Sequence, residues 1–344
     1  MEEKEDITNK KEDLYVGIDL GTSSSAIVAS NGKKNWVESY VGWPKDFIAE
    51  KVIGKSVLFG TEALKNRLSM DVYRPLERGV VKEGTEREEE SVKELIRHLV
   101  GLVKPAKDQK VFAVVGVPSE AFKVNKIAIK KAVADYVDSL MVVSEPFAVA
   151  YGMNLLNNAM IIDIGAGTVD FCVMHGTIPG EDDQRTILTA GDYIDQQLYN
   201  LLLEKFPNST FNLNMARIFK EQNSFVGNSV DNVKVEIPVE GKSVIHDITG
   251  EMKRSCESIM PPMVETITEM IARVDPEYQK KIKNKIVLAG CGSQIRGITD
   301  YVSRALKEYG TGQVTTVEDP LFAGAAGALS LAHEMPKRYW KKID

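Results

Sequence analysis

Two segments of the chain combine an aspartate with glycine and hydroxyl residues, a combination that suits the binding of a phosphate and its metal ion. The first runs from Asp19 to Ser25, where Gly21 permits a tight turn and the residues after it add hydroxyl donors. The second runs from Asp163 to Asp170, where glycines at positions 165 and 167 leave backbone N–H groups unobstructed. Magnesium keeps several of its waters and takes only one or two protein carboxylates, so one aspartate from each segment suits it. The pair of segments therefore predicts a site for ATP with Mg²⁺.

Each of these aspartates lies near the end of a short apolar run that has the character of a buried β-strand. Residues 15–20 form the first run and residues 160–164 the second, and another apolar strand follows each turn. Asp163 follows Asp19 by 144 residues, a spacing too long for a solenoid, whose repeats are roughly 20 to 50 residues long. A duplicated α/β domain explains the repeat, and its two glycine turns would face each other across a cleft.

Further strands and helices lie between and after the two segments. Asn31-Gly32 is a strong hairpin signal, and Val111 to Val117 is a buried strand that ends before a proline. Other predicted elements are helices over residues 88–103, 192–206 and 212–223, a hairpin over 233–248, a long helix over 251–274, a strand over 286–289, a helix opened by residues 290–294, and a close-packed Gly- and Ala-rich helix over 320–332. Strands that alternate with helices indicate the α/β class.

Composition limits the classes of protein that the chain can represent. With 344 residues and 43% hydrophobic content it can form roughly two domains with a sizeable core. A formal net charge of -6 argues against a nucleic-acid-binding protein. The three cysteines are far apart, which fits reduced thiols in a cytoplasmic protein. Residues 1–13 are charged throughout, so we expect a disordered tail or a contact arm rather than an export signal, and no run is long enough to insert into a membrane.

Other phosphate-binding loops do not fit the sequence. Gly54-Lys55-Ser56 and Gly241-Lys242-Ser243 resemble the end of a P-loop, but the first glycine of that motif would fall at Ala49 or Glu236. No G-x-G-x-x-G follows a strand at the start of a dinucleotide-binding unit. The two aspartate turns remain the candidate phosphate site.

Five motifs, in order along the chain, resemble those of the actin/Hsp70/hexokinase superfamily. The two aspartate turns resemble its phosphate-1 and phosphate-2 motifs. Val114–Pro118 and Val143–Gly152 resemble its connecting strand and helix, and Gly290–Gly297 resembles its adenosine motif. The resemblance covers about residues 14–332. It implies an actin-like α/β fold of two duplicated RNase H-like domains around a nucleotide cleft, each with a small inserted subdomain.

Within the superfamily the chain is similar to the bacterial actins, because its length leaves no room for the substrate-binding domain of an Hsp70. Arg74–Val81 and Glu318–Leu321 resemble segments of the MreB family of rod-shape actins. A larger number of segments resemble the MamK family of magnetosome-associated actins, namely residues 41–46, 219–227, 256–261, 276–279 and 339–340. The polar N-terminus departs from the amphipathic membrane helix of many MreB proteins, which favours the second family.

The resemblance implies roles for individual residues. Asp19 and Asp163 would hold Mg²⁺ through water, and Glu145 would contact it through water while it orients the water that attacks the γ-phosphate. The residues expected around the phosphates are Gly21, Thr22, Ser23, Ser24, Gly165, Ala166, Gly167 and Thr168. Those expected around the adenosine are Asp192, Lys220, Glu221, Gly290, Gly292 and Ser293. A helix-capping role for Glu145 and solvated helix charges at 220 and 221 remain alternatives.

One position departs from the pattern of the family. Cys291 stands where the family usually has a glycine. A cysteine is small enough to fit, but it adds strain if the backbone at that position needs a positive φ.

The resemblance also predicts a division of the chain into subdomains. Domain I would comprise a core (IA) of residues 14–40, 76–150 and 325–344 with subdomain IB over 41–75. Domain II would comprise a core (IIA) of residues 151–190 and 248–324 with subdomain IIB over 191–247.

The resulting hypothesis is a Mg²⁺-dependent ATPase that polymerises with copies of itself into a cytoplasmic filament. The resemblance implies that the filament aligns magnetosomes near their membrane, together with adaptor proteins, and without nucleic acid or direct membrane insertion. An MreB-like cell-shape actin remains an alternative, as does a small-molecule kinase or other non-polymerising ATPase of the same fold. GTP remains open as the nucleotide.

Overall fold

The computed structural model describes residues 12–82, 84–119, 122–228, 232–310 and 312–342. The tail predicted over residues 1–13 lies, except for its last two residues, outside this range.

The described residues form a mixed α/β structure. The strands are β1 (Leu14–Leu20), β2 (Ser24–Ala29), β3 (Lys34–Glu38), β4 (Val41–Pro44), β5 (Leu58–Phe59), β6 (Met70–Tyr73), β7 (Leu76–Glu77), β8 (Val80–Val81), β9 (Val111–Val117), β10 (Ser139–Ser144), β11 (Asn157–Ile164), β12 (Val169–His175), β13 (Gln184–Ile187), β14 (Lys234–Val239), β15 (Lys242–Asp247), β16 (Ile286–Ala289), β17 (Val314–Thr316) and β18 (Lys341–Lys342). The helices are α1 (Phe47–Ile53), α2 (Gly60–Lys65), α3 (Glu86–Leu102), α4 (Phe122–Val133), α5 (Glu145–Gly152), α6 (Gly191–Lys205), α7 (Leu213–Asn223), α8 (Thr249–Glu257), α9 (Met260–Arg273), α10 (Pro276–Lys283), α11 (Ile298–Leu306) and α12 (Ala323–Glu334).

Two sheets repeat one strand order. In the first, the antiparallel meander β3-β2-β1 continues into the parallel strands β9 and β10, and β18 adds an antiparallel edge. In the second, the meander β13-β12-β11 continues into the parallel strands β16 and β17. The first two strands of each meander are joined by one of the two aspartate turns. The duplication predicted from the repeated motif is therefore confirmed.

Two helices, α5 and α12, lie between the sheets. The residues of α12 that face inward are mostly glycine and alanine, so this helix packs closely on α5 and β1. Buried residues from both sheets meet these helices in one cluster, which includes Val114 of β9, Ile161 of β11, Ala148 of α5 and Ala328 of α12. The helix predicted over residues 320–332 is confirmed from Ala323 onward, while residues 320–322 form a turn before it. Its packing holds the two halves together beneath the cleft.

Smaller elements are inserted into each half. Strands β4, β5 and β6 form a small sheet with α1 and α2 after the first meander, and α6, α7 and the hairpin β14–β15 follow the second. The inserted elements flank the mouth of the cleft, whereas the assignment of residue ranges to four subdomains remains a prediction.

Helix α3 begins with a capping box in which Thr85 and Glu88 satisfy each other's backbone N–H groups.

Two predicted helices differ from the structure. The long helix expected over residues 251–274 is two helices, because Pro261 and Pro262 cannot donate backbone hydrogen bonds and instead occupy the first turn of α9. The segment after Gly290 forms a 3₁₀ turn over Cys291–Gln294, and the α-helix begins only at Ile298. Over the described residues no helix is both long and apolar enough to cross a bilayer.

Candidate active site

The first aspartate turn joins β1 to β2. Asp19 pairs with Ala26, so the chain reverses direction over residues 21–23. Ser39 Oγ donates to the carbonyl oxygen of Gly21 at 2.7 Å and lies 2.8 Å from Ser25 Oγ, which holds the turn in place. Burial at the base of the cleft raises the pKa of Asp19 from 3.8 to about 7. The hairpin therefore presents a carboxyl group that ionises near neutral pH.

The second aspartate turn joins β11 to β12 and is tied to the following helix. Gly165 N–H donates to the carbonyl oxygen of Thr168 at 2.9 Å, which closes the turn. At the start of α6, the N–H groups of Gly191 and Asp192 donate to the carbonyls of residues 165 and 166 at 3.1 and 2.7 Å. The phosphate-2 segment and the N-terminus of α6 are therefore one rigid unit.

A second carboxylate, Asp170, lies beside Asp163. The two residues are directly opposite in the β11–β12 pair, so their side chains share one face of the sheet. Asp170 is 1% exposed, and its Oδ1 accepts hydrogen bonds from Ser119 N–H at 2.7 Å and Thr186 Oγ1 at 2.6 Å. Burial, and then the charges of Asp19 and Asp170, raise the pKa of Asp163 well above its ordinary value. Since Ser119 follows β9, this contact joins the two halves at the floor of the cleft.

Glu145 begins α5 directly after β10 and projects toward the two turns. Its side chain is buried, and within the described residues Oε1 has no hydrogen-bond partner. Burial, followed by the charges of Asp19, Asp163 and Asp170, raises the pKa of Glu145 well above its ordinary value. A buried carboxyl group with a raised pKa and an unused oxygen can accept a proton from a water held beside it.

These carboxyl groups form an environment that suits a hydrated cation. Asp19, Asp163 and Glu145 repel one another at the floor of the cleft, which favours any ligand that adds positive charge there. In the part of the chain that the structure describes, no three acidic, histidine or cysteine side chains are close enough to ligate a metal directly. A cluster of this kind fits Mg²⁺, which keeps several waters and takes only one or two carboxylates, and the metal-holding roles of these residues stay predictions.

The adenosine segment explains how the chain tolerates a cysteine. Gly290 has φ 69°, and a Cβ atom there would lie 2.4 Å from Asp163 Oδ1, so this position requires glycine. Cys291 is not among the residues with positive φ, and its side chain is exposed at the cavity wall. Ser293 is buried and donates to the carbonyl oxygen of residue 290 at 2.7 Å. The cysteine thus lies between two glycines that are each crowded by the phosphate-2 strand, at a position whose backbone accepts an ordinary side chain.

Lys220 and Glu221 lie on α7 and have different surroundings. Lys220 Nζ donates to the carbonyl oxygen of Gly191 at 3.0 Å and lies 2.8 Å from Asp195 Oδ1, with little exposure. Glu221 is half exposed and 3.8 Å from Arg217 Nε. Lys220 is therefore anchored to the start of α6, whereas Glu221 is more exposed and lies at the cavity wall.

One cavity of about 500 Å³ connects all these elements. All but one of the residues predicted for the site line this cavity. The lining residues are Asp19, Gly21, Thr22, Ser23, Ser24, Glu145, Asp163, Gly165, Ala166, Gly167, Thr168, Asp192, Lys220, Glu221, Gly290 and Gly292. The exception is Ser293, whose hydroxyl bonds within its own turn. Its size is within the usual range for a cofactor-sized ligand. The structure thus brings the predicted residues together, and their individual roles remain predictions.

Several residues in or near the cleft were not singled out by the sequence. Asp170 is the seventh residue after Asp163, and the hairpin register alone could have indicated that it faces the same site. Arg74 was noted only as part of a resemblance, yet it binds Asp192 across the cleft. Arg217, on the α7 face beside Lys220, carries no local motif that distinguishes it from a surface charge.

A family model and curated relatives match nearly the whole chain. The family model for MreB/Mbl protein matches residues 13–339. The Actin-like protein MamK of Paramagnetospirillum magneticum is 42% identical over 97% of this chain and 96% of its own length. The Actin-like protein MamK of Magnetospirillum gryphiswaldense is 43% identical over 97% of this chain and 92% of its own length.

Solved structures also match nearly the whole chain. A structure of a MamK double helical filament superposes with a TM-score of 0.92 at 42% identity, over 94% of this chain and 100% of that one. A non-polymerising MamK mutant bound to AMPPNP matches with a TM-score of 0.73, again at 42% identity and over 94% of this chain. The higher score belongs to the filament structure.

Proposed function

This chain belongs to the MreB/Mbl family of actin-like proteins, and from that premise we propose that it binds Mg²⁺·ATP between its two aspartate turns, hydrolyses it, and assembles into filaments. The actin-like fold and the resemblance to MamK that the motifs predicted are confirmed by these matches. The observation that carries the proposal is the convergence of Asp19, Asp163 and Glu145 on one cavity lined by both glycine turns.

The two turns would bind the phosphates of the nucleotide, and the adenosine segment would contact its nucleoside. Backbone N–H groups and hydroxyls of residues 21–24 and 165–168 would bind the phosphate oxygens, since the turns already hold these groups at the cavity wall. Lys220 and Glu221 on α7 and the open backbone at Gly290 and Gly292 would border the nucleoside. Binding of AMPPNP by a MamK relative supports ATP as the nucleotide.

Hydrolysis would depend on Glu145. Its Oε1 would accept a hydrogen bond from the attacking water and then its proton, because the raised pKa makes the ionised carboxylate a stronger base. Mg²⁺, when bound, would neutralise charge on the phosphates, and Asp19 and Asp163 would hold it through its waters. Burial, followed by the charges of Asp19, Asp163 and Asp170, would keep the pKa of Glu145 raised. The enclosing walls would exclude bulk water.

Assembly would join copies of the chain head to tail. A contact between two different faces of identical subunits repeats without closing, so it produces a filament rather than a ring. A relative in the same family is known as a double helical filament, and this chain superposes on it over 94% of its residues. We propose that the filament lies in the cytoplasm beside magnetosome membranes, positions them with adaptor proteins, and disassembles after hydrolysis.

The experiment combines light scattering, negative-stain microscopy and phosphate release on the purified protein. Addition of Mg²⁺·ATP should increase scattering, produce filaments and release phosphate slowly. Parallel samples with Mg²⁺·GTP and with EDTA test the choice of nucleotide and the need for metal. Rapid turnover without filaments, and only in the presence of an added metabolite, would contradict the proposal and favour the small-molecule kinase.

A further inference from the structure

Five side chains connect the two halves of the molecule across the mouth of the cleft. Glu38, Tyr40 and Arg74 come from the first half and its insertion, and Asp192 and Arg217 come from α6 and α7 of the second. We call this set the clasp. It lies beyond the carboxyl groups that would carry out hydrolysis.

The first contact of the clasp is a two-pronged ion pair. Arg74 Nη1 and Nη2 donate to the two carboxylate oxygens of Asp192 at 2.8 and 3.0 Å. The Nε–H of the same guanidinium donates to the carbonyl oxygen of Thr22, in the phosphate-1 turn, at 2.8 Å. Three donors of one planar group are therefore used at once, and they join the first turn to the start of α6.

The second contact lies beside the first. Arg217 Nη2 is 3.4 Å from Glu38 Oε1, and its Nη1 donates to Tyr40 Oη at 3.3 Å. The ring of Tyr40 has the guanidinium of Arg74 at 5.9 Å and that of Arg217 at 5.7 Å from its centroid. The ring lies within cation–π distance of a cation from each half.

These contacts differ from ordinary surface ion pairs. The side chains of Arg74 and Asp192 are 25% and 37% exposed, and that of Arg217 is only 11% exposed. Paired, partly buried guanidinium–carboxylate bonds are stronger and more specific in geometry than solvated ones. Removal of one partner leaves the other poorly solvated, so the clasp resists separation of the two walls.

We propose that the clasp sets the rate at which nucleotide leaves the cleft, with Arg74 as the positioning residue that couples the phosphate-1 turn to the start of α6. The proposal rests on the proposed nucleotide site. Thr22 and Asp192 both line the cavity, so the walls cannot separate around a bound nucleotide unless the bonds of Arg74 break. Arg74 binds no reacting atom in this scheme, and its loss acts on exchange rather than on bond cleavage.

The test is a chase experiment with a methylanthraniloyl derivative of ATP bound in the presence of Mg²⁺. Excess unlabelled ATP displaces the probe, and the fluorescence decay gives the dissociation rate. The variants are Arg74→Gln, the isosteric Asp192→Asn, and the double variant. Arg97→Gln is the matched control, because Arg97 forms an ion pair with Glu94 on the exposed part of α3. Single-turnover hydrolysis and the melting temperature without nucleotide are measured on each variant.

Each single variant should release the probe about tenfold faster or more, and the double variant should release it no faster than the faster single one, because both remove the same contact. Arg97→Gln should match the unaltered protein in all three measurements. Arg74→Gln should keep the single-turnover rate of the unaltered protein, and loss of the partly buried pair should lower its melting temperature by about 2 to 4 °C. An unchanged rate of probe release in both single variants would overturn the proposed role of the clasp. A double variant whose rate increase is the product of the two single increases would also overturn it. If the unaltered protein fails to retain the probe, the proposed nucleotide site is wrong and the clasp falls with it.

Discussion

The two aspartate turns have nearly the same local structure but different surroundings. Both join the first two strands of a three-stranded meander, and both place an aspartate near the end of a strand flanked by a parallel neighbour. Asp19 has its pKa raised by burial, to about 7. Asp163 has its pKa raised by burial and in addition by two neighbouring carboxylates.

The backbone behind each aspartate also differs. Gly324, at the start of α12, lies so close to the first aspartate that a Cβ atom would be 2.5 Å from Asp19 Oδ2. Gly290 lies equally close to Asp163, and it has a positive φ of 69° as well. The first turn contacts the clasp through the carbonyl oxygen of Thr22, while the second turn is bonded to α6 and packed against the adenosine segment. The two similar frames therefore differ in their contacts: the first is joined to the second half through Arg74, and the second is fixed within its own half by α6 and the adenosine segment.

The largest expected effect concerns a residue that belongs to neither turn. Glu145→Gln keeps the shape of the side chain but removes the proton acceptor, so the hydrolysis rate should fall about 10²- to 10³-fold while ATP still binds. Phosphate release under single-turnover conditions measures the rate, and equilibrium titration with the fluorescent ATP derivative checks binding. A variant that hydrolyses ATP at the normal rate would show that the two turns suffice and that Glu145 serves only the helix terminus.

A second prediction separates the two glycines behind the aspartates. Gly290→Ala adds both a steric conflict and an unfavourable backbone conformation, whereas Gly324→Ala adds only the steric conflict. We expect Gly290→Ala to lower the melting temperature more, by several degrees, and to weaken nucleotide binding more strongly. Thermal unfolding with and without Mg²⁺·ATP measures both effects. Equal losses in the two variants would mean that crowding alone, not the positive φ, distinguishes the positions.

The sequence predicted the floor of the cleft far better than its mouth. Asp19 and Asp163 lie near the ends of short apolar strands, and the repeated pattern around them was enough to predict that they meet. Glu145 was indicated only by the resemblance to the bacterial actins, and the structure places it beside them at the start of α5. Arg74, Tyr40 and Arg217 meet only after separate insertions fold against one another, and no local period encodes that contact. The break between α8 and α9 was visible in Pro261 and Pro262, yet the apolar period across it concealed the interruption.

A third prediction uses the pH dependence of stability in the nucleotide-free protein. The folded state binds the proton of Asp19 more tightly than the unfolded chain does, so the free energy of unfolding falls as pH rises from about 4 through about 7. Asp19→Asn should therefore flatten this dependence and raise the melting temperature at pH 8 by about 2 °C or more. Asp163→Asn should raise it further, because burial and two carboxylates oppose its charge. Melting curves in EDTA from pH 5 to 8 show which variant has the higher melting temperature. A melting temperature below that of the unaltered protein at pH 8, in either variant, would contradict the prediction.

The smallest effect should come from Asp170, whose charge contributes least among the causes that raise the pKa of Glu145. Asp170→Asn keeps an oxygen that can accept from Ser119 N–H and Thr186 Oγ1, so the floor of the cleft should stay intact. Loss of the negative charge lowers the pKa of Glu145, and the acid limb of the pH–rate profile should move to lower pH. The maximal rate should fall only slightly, because a weaker base accepts the proton less readily. An unmoved acid limb with a large loss of rate would instead make Asp170 a direct participant in the reaction, and the second turn would then supply two of the reacting carboxylates.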